Sequence, residues 1–435
     1  MALTPELIGW IGIAVLLIML LIRIPVAFVL AFVGFVGYWM IAGPESALKI
    51  AGMVPYSTMS NYSFSVVPLF LLMGYFAYHA GMATDMFKTG KTWLGHIPGG
   101  LGHATIIGGA AFGAVSGSGI ASTATIARIT TPEMIHNGMD KKLAYGIVAS
   151  AGPLASMIPP SMMMVIYAII TESSIAKLFV AGILPGILIA ALYMFLVWGR
   201  IKMNSNLAPP IPKAPLKERV ISLKYTWGLL VLAFIIIGGI YTGLFTPTEA
   251  GGIGAFAAFI MALLLKRINK KVMKESLIET VKTTSMVFLI VVSSMIFGYF
   301  LGITRIPTML SDMLTTLPVP PIFIIIGVAV LYLILGMFID MISAMFLTLP
   351  IIFPTIISLG YDPIWFGIVL VFLTEVALVT PPLGLSLFII KGAVPKSDLR
   401  DIIKGSIPFI IIDFVILALL IAFPEIALFL PNQME

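Results

Sequence analysis

The chain has 435 residues, 60% of them apolar and 10% charged, with a mean hydropathy of +1.11. A soluble domain carries about 45–50% apolar and about 25% charged residues, so this composition excludes a soluble enzyme and describes a polytopic membrane protein. The formal charge of +6 comes from 25 Lys and Arg against 19 Asp and Glu; there is no cysteine, and the four histidines (His79, His96, His103, His136) stand in no HExxH or HxxxH spacing, so thiolate chemistry is excluded and no metal cofactor or nucleic-acid partner is expected.

In chain order, residues 1–60 are read as N-terminal scaffold helices with spans at about 7–22 and 25–42. The first apolar run lacks the basic leader and small-residue cleavage site of a signal peptide, which makes it a retained span. Residues 61–199 hold spans at 64–80, 141–170 and 176–198. The polar stretch 200–224, with Pro209, Pro210, Pro212 and Pro215, is a cytoplasmic linker. Residues 225–280 return to scaffold helices, with spans at 225–245 and 249–265. Between those two spans Thr246 is placed to cap a helix, with Pro247 in its first turn and Glu249 completing a capping box. Residues 281–404 hold spans at 281–303 and 363–391, and 405–435 form a C-terminal helix.

Two stretches, 101–136 and 320–358, are too long for one span and short for two, and each is interrupted near its middle by small or polar residues. We read both as re-entrant helical hairpins, tolerated only where protein or a water-filled cavity covers the irregular backbone. Threaded this way, 21 of the 25 basic residues fall on one side, the cytoplasm, leaving both termini periplasmic; Lys49, Lys177 and Arg305 fall opposite and Arg128 inside the first hairpin.

The halves align at an offset of 221–223: GAVSGSGIAS with GMFIDMISAM, HNGMD with SLGYD, AYGIV with WFGIV, and SMIPPSMMMVIYAI with LVTPPLGLSLFII. Five crossings separate equivalent points, and an odd number makes the repeats inverted. Two inverted repeats, 61–199 and 281–404, each with a hairpin and a discontinuous helix, are the architecture of a secondary transporter that binds its substrates at the midplane. The expected fold is thus an all-α polytopic membrane protein, and no enzymatic role is expected.

The first hairpin tip, Ser116-Gly117-Ser118-Gly119-Ile120-Ala121-Ser122-Thr123, offers carbonyl and hydroxyl oxygens suited to a weakly hydrated cation, or simply allows close helix packing. Pro159-Pro160 and Pro381-Pro382 remove amide donors and free carbonyls one turn earlier, beside Ser156 in one copy and Thr380 in the other. In the second hairpin Asp340, followed by Ser343, is an acid deep in an apolar run, a functional candidate or a helix-end hydrogen bond. Glu375 serves the ion site or braces the broken helix, Asp413 reads as structural, and Arg128 meets a substrate carboxylate or pairs internally. At each tip a helix C-terminus suited to a cation lies beside an N-terminus suited to an anion.

Together GSGIASTATIA, IPPSMMMVIYAIITESSIAKLFVAGILPG, TPTEAG, GMFID and VTPPLGLSLFIIKG resemble, in order from about residue 60 to the C-terminus, the large membrane subunit of TRAP (tripartite ATP-independent periplasmic) transporters. The resemblance implies an elevator-type importer of organic acids in the inner membrane, coupled to sodium. It also implies a periplasmic substrate-binding protein and a separate small membrane subunit of about four helices as partners. Carried onto this chain, sodium would be bound around Ser116, Ser118, Ser122 and Pro159, and around Gly336, Asp340, Thr380 and Pro382. The substrate would lie near Ser118, Asp340 and Ser343, with Arg128 standing where the family suggests a small residue. The alternative is a stand-alone inverted-repeat carrier, driven by sodium or protons, that needs no binding protein.

Overall fold

A backbone surrounded by lipid must satisfy its own polar groups, and this chain does so with helices: among the described residues there is no strand. The computed structural model describes residues 4–117, 119–395 and 397–434, and for residues 114–116, 225 and 338 the backbone alone. The N-terminal helices are α1 (Pro5–Leu21), α2 (Val26–Ala42) and α3 (Pro44–Met59). There follow α4 (Val66–His79), α5 (Met82–Leu94), α6 (Gly100–Ser116), α7 (Gly119–His136), α8 (Lys141–Ala151), α9 (Met162–Thr171) and α10 (Ile175–Met203). After α11 (Leu216–Tyr241) and α12 (Pro247–Leu264) come α13 (Lys270–Thr304), α14 (Ile306–Thr316), α15 (Pro321–Phe338), α16 (Met341–Ser358), α17 (Pro363–Val379), α18 (Leu385–Ala393), α19 (Leu399–Ala422) and the short α20 (Glu425–Leu428).

The series α4–α10 and α13–α19 match one for one: two consecutive helices, a hairpin, a helix broken at a proline pair, and a long closing helix. Both broken helices begin at an aspartate that caps them. The Asp140 carboxylate accepts from the Leu143 amide at 3.0 Å, and Asp362 accepts from Ile364 and Trp365 at 2.7 and 3.0 Å. The repeats are interlocked. The outgoing arm of the first hairpin, α7, packs on α18, while its counterpart α16 packs on α9; α8 runs along α19, and α10 lies against α17.

The α8–α19 seam is a backbone-to-backbone contact made possible by glycine. A Cβ on Gly146 would stand 2.1 Å from the Gly405 carbonyl oxygen, and one on Gly405 would stand 2.0 Å from that of Lys142. Nearby, fully buried Trp365 donates its indole N–H to the Leu420 carbonyl at 2.8 Å, and the Tyr167 hydroxyl donates to the Pro363 carbonyl at 2.6 Å. On the other side of the molecule α2 lies along α13, and α4 is held between α12 and α13. Arg267, just past α12, pairs with Asp85 and donates to the Ala80 carbonyl at 3.0 Å, fixing the α4–α5 corner, where the chain bends by 59°.

Several helices carry too many polar residues to be found as apolar runs: α3, α5 and α14. The 200–224 linker is also shorter than its polar composition suggests. Helix α10 continues to Met203 and α11 begins at Leu216, leaving the four prolines in the non-α segment between them. The second repeat begins earlier than residue 281, with α13 starting at Lys270, and α19 starts at Leu399, as the counterpart of α10 rather than a separate C-terminal element.

The capping box at α12 is complete. Thr246 Oγ1 accepts from the Glu249 amide at 3.3 Å, and Glu249 Oε2 accepts from the Thr246 amide at 2.8 Å. Thr246→Ala is therefore expected to cost about 1 kcal/mol, read as a lowered midpoint in thermal unfolding of the detergent-solubilised protein, with no change in substrate affinity. An unchanged midpoint would show that the cap is not needed once α12 is packed.

Candidate functional site

The first hairpin turns where α6 ends in the left-handed conformation at Gly117 (φ 60°), whose amide donates to the Gly113 carbonyl at 3.0 Å. Small residues bring this arm against the first break: a Cβ on Gly113 would lie 2.2 Å from Ala155 Cα. The Gly117 carbonyl accepts from the Met162 amide at 3.3 Å, and the Gly119 amide donates to Ser156 Oγ at 2.9 Å. A Cβ on Gly119 would meet Ser156 Oγ at 2.9 Å and Glu375 Oε2 at 3.0 Å. Tip, first break and second repeat thus converge at one glycine.

At the second tip Asp340 caps α16. Its Oδ1 accepts from the Ser343 amide at 3.0 Å and its Oδ2 from the Ser343 hydroxyl at 2.5 Å. Gly336 lets α15 close on the broken helix, since a Cβ there would lie 2.5 Å from that of Ala377. Thr380 ends α17, its hydroxyl donating to the Val376 carbonyl at 2.7 Å. Just beyond, a Cβ on Gly384 would stand 2.9 Å from both the Leu378 and Thr380 carbonyl oxygens. Only glycine leaves that pair of oxygens open, an arrangement that suits a cation. The Pro159–Pro160 and Pro381–Pro382 peptide bonds are both cis.

Both tips open onto one cavity of about 690 Å3. From the hairpins it is lined by Gly117, Gly119, Gly336 and Asp340, from the broken helices by Ser156 and Glu375, and from α4 and α13 by Tyr75, Glu279 and Thr283. The Tyr75 hydroxyl and Thr283 Oγ1 are 2.7 Å apart, and His79 Nε2 lies 3.0 Å from Glu279 Oε2. Among the described residues no Lys, Arg or His lines this cavity, whereas three carboxylates do. An anion entering it must therefore find its positive charge in a bound cation or in the α7 and α16 N-termini.

The residues proposed from sequence are distributed unevenly around this cavity. Gly336 and Asp340 line it. Ser343 is fully buried in the first turn of α16, behind Asp340, and Ser122 is fully buried within α7. Pro159, Thr380 and Pro382 lie in the breaks and are not among the lining residues. Ser116 ends α6, described there by its backbone, and Ser118 lies outside the described residues. Arg128 sits on an exposed face of α7, away from the cavity. Tyr75, Glu279 and Thr283 were not expected as site residues, and Ser156 was singled out only as part of the first proline break. Glu375 carried a signal as an acid in an otherwise apolar run.

The family model of the tripartite ATP-independent periplasmic transporter, DctM component, matches residues 13–426. The chain is 34% identical over 395 residues to the C4-dicarboxylate TRAP transporter large permease protein DctM of Pseudomonas aeruginosa, covering 90% of this chain and 91% of that protein. It is 30% identical over 430 residues to the sialic acid TRAP transporter large permease protein SiaM of Vibrio cholerae, covering 98% of each. Among solved structures, the Alcanivorax borkumensis YdaH transporter, described as having an unusual topology, superposes with a TM-score of 0.62 at 13% identity over 88% of this chain and 90% of that one, a likeness of fold alone. With the family model spanning nearly the whole chain and relatives at 30–34% identity covered almost end to end, this multi-pass membrane protein belongs to the DctM-component family, the large permeases of TRAP transporters.

Proposed function

We propose that the chain is the permease of a sodium-coupled importer of organic acids, moving its hairpin-bearing half against α2, α4 and α13 as an elevator. The observation that carries this reading is the single cavity joining both tips and both breaks, acidic and without a basic side chain among its described lining residues. Such a cavity takes a cation readily and a carboxylate only alongside one, which ties anion uptake to sodium. The relatives are named for C4-dicarboxylate and sialic acid, both carboxylates, and a carboxylate is the substrate class proposed here. Delivery by a periplasmic binding protein and completion by a small membrane subunit follow from the tripartite family. In the orientation set by the basic loops, both termini are periplasmic. The cavity then lies against α13 over 279–287, in the half nearer the cluster Lys270, Lys271 and Lys274, which is the cytoplasmic half.

The test is uptake of a radiolabelled panel of organic acids into proteoliposomes that hold the chain with its small subunit, with sodium and binding protein added or omitted. Uptake that requires both is the expected result. Sodium-driven uptake indifferent to the binding protein would assign a stand-alone carrier, and uptake blind to every ion gradient would overturn coupled transport altogether.

A further inference from the structure

Behind the main cavity lies a second, small chamber of about 10 Å3, room for about one water. Its walls are apolar (Pro153, Leu154, Met157, Ile189, Phe372, Val376 and Val379) except for four side chains: Ser150 of α8, Tyr193 of α10, Glu375 of α17 and Asp413 of α19. Ser150 and Asp413 are 1% exposed, Tyr193 4% and Glu375 5%. The Tyr193 hydroxyl donates to Asp413 Oδ1 at 2.5 Å. Glu375 Oε2 and Asp413 Oδ2 have no hydrogen-bond partner, the former 3.0 Å from where a Cβ on Gly119 would stand, and Ser150 Oγ lies beside the Tyr193 hydroxyl. Among the described residues, Tyr193, Glu375 and Asp413 are the titratable groups lining the chamber, and no Lys, Arg or His is among them. The nearest cation on α8, Lys142, stands about two turns from Ser150 and faces Asp401 at 3.7 Å.

Two carboxylates buried in a membrane domain without a counter-charge are expensive, and orphaned acceptors in such a place call for a hydrogen or a cation. Hard cations gather about six oxygens. This chamber offers two free carboxylate oxygens and the hydroxyls of Ser150 and Tyr193, which is too few for such an ion and sufficient for a proton. Among the described residues, Glu375 is also the one that lines both this chamber and the main cavity.

We propose that the chamber is a proton-binding site in which one proton is shared between Glu375 and Asp413 and exchanges, through Glu375, with the main cavity beside the first hairpin tip. On loading, H+ adds to a carboxylate oxygen, turning two carboxylates into one carboxyl and one carboxylate. The new O–H donates to an oxygen that otherwise has no partner. On release, the same proton leaves Glu375 for water in the main cavity, and no other bond changes. The inference does not rest on the proposed substrate or on sodium-driven uptake.

The test is infrared difference spectroscopy of the full chain in lipid nanodiscs, between acidic and alkaline buffer and with sodium exchanged for choline, together with radiolabelled sodium binding to the same samples. The expected wild-type result is a protonated-carboxyl carbonyl band that titrates, ignores the sodium exchange, and is lost in Asp413→Asn while sodium stoichiometry is unchanged. Asparagine keeps an acceptor for Tyr193; should that variant not fold, Tyr193→Phe, which removes only the hydroxyl, is expected to shift the band. A wild-type without the band, with one fewer sodium bound by Asp413→Asn, would make this a sodium site and overturn the proposal. A band unmoved by either substitution belongs to another carboxyl, and the absence of both effects makes the cluster a hydrogen-bonded brace; each of these results also overturns it.

Discussion

Asp340→Asn is expected to leave the protein folded and to lower sodium-driven uptake by about ten- to a hundredfold. The two parts of this result have separate physical causes. Asparagine caps a helix about as well as aspartate, so the first turn of α16 keeps its bond to the Ser343 amide. What is lost is the negative charge at the second tip. A hydrogen bond or ion contact to a charged group is worth about 1.5–3 kcal/mol, and each 1.4 kcal/mol is roughly a factor of ten in affinity. Asp340→Ala removes cap and charge together and is expected to lower thermal stability by a further 0.5–2 kcal/mol or so. The measurements are initial uptake at sub-saturating sodium and the unfolding midpoint of each variant. Normal uptake by Asp340→Asn would reduce the residue to a helix cap and remove it from the ion site.

The second large effect is expected at the glycine seam. Gly405→Ala forces a Cβ to 2.0 Å from the Lys142 carbonyl oxygen, and Gly146→Val brings a larger side chain to 2.1 Å from that of Gly405; in both the obstructing atom is backbone and cannot rotate away. Overpacking of ordinary core sites costs about 1–3 kcal/mol; here two whole helices must separate, so loss of folded protein in fluorescence-detected size exclusion is the expected outcome for both. Gly52→Ala is the control. Gly52 lies in α3 with nothing within 4 Å of its missing Cβ, and there alanine is expected to be neutral or stabilising by about 0.5–1 kcal/mol. Seam variants that accumulate and migrate like the wild-type would show that α8 and α19 can part without unfolding the domain.

What the sequence disclosed followed from how far its signals reach. Long apolar runs with a polar interruption are local features, so both hairpins, both proline breaks and the Thr246–Glu249 box were legible from residues close in the chain. Helices α3, α5 and α14 were not, because their apolar residues form only one face and the polar remainder hides them in a hydropathy scan. The heart of the site is non-local as well. Ser156 and Glu375 are 219 positions apart and meet at Gly119 only because the repeats interlock, a contact that no spacing rule anticipates. Arg128 shows the opposite limit: the run around it placed it in a hairpin arm, but α7 turns that position outward.

The exchange of elements across the seam also says how the molecule can and cannot be cut. With α7 on α18, α16 on α9, α8 along α19 and α10 against α17, each half is completed by the other, as in an intertwined dimer whose subunits have been joined head to tail. The tether in that picture is the proline-bearing stretch between α10 and α11. Severing it takes away a covalent link and none of those four contacts, so two co-expressed fragments should find each other and reassemble. Grafting one half onto the other half of a distant relative alters one side of all four contacts at once. This architecture accepts a nick far more readily than a chimera.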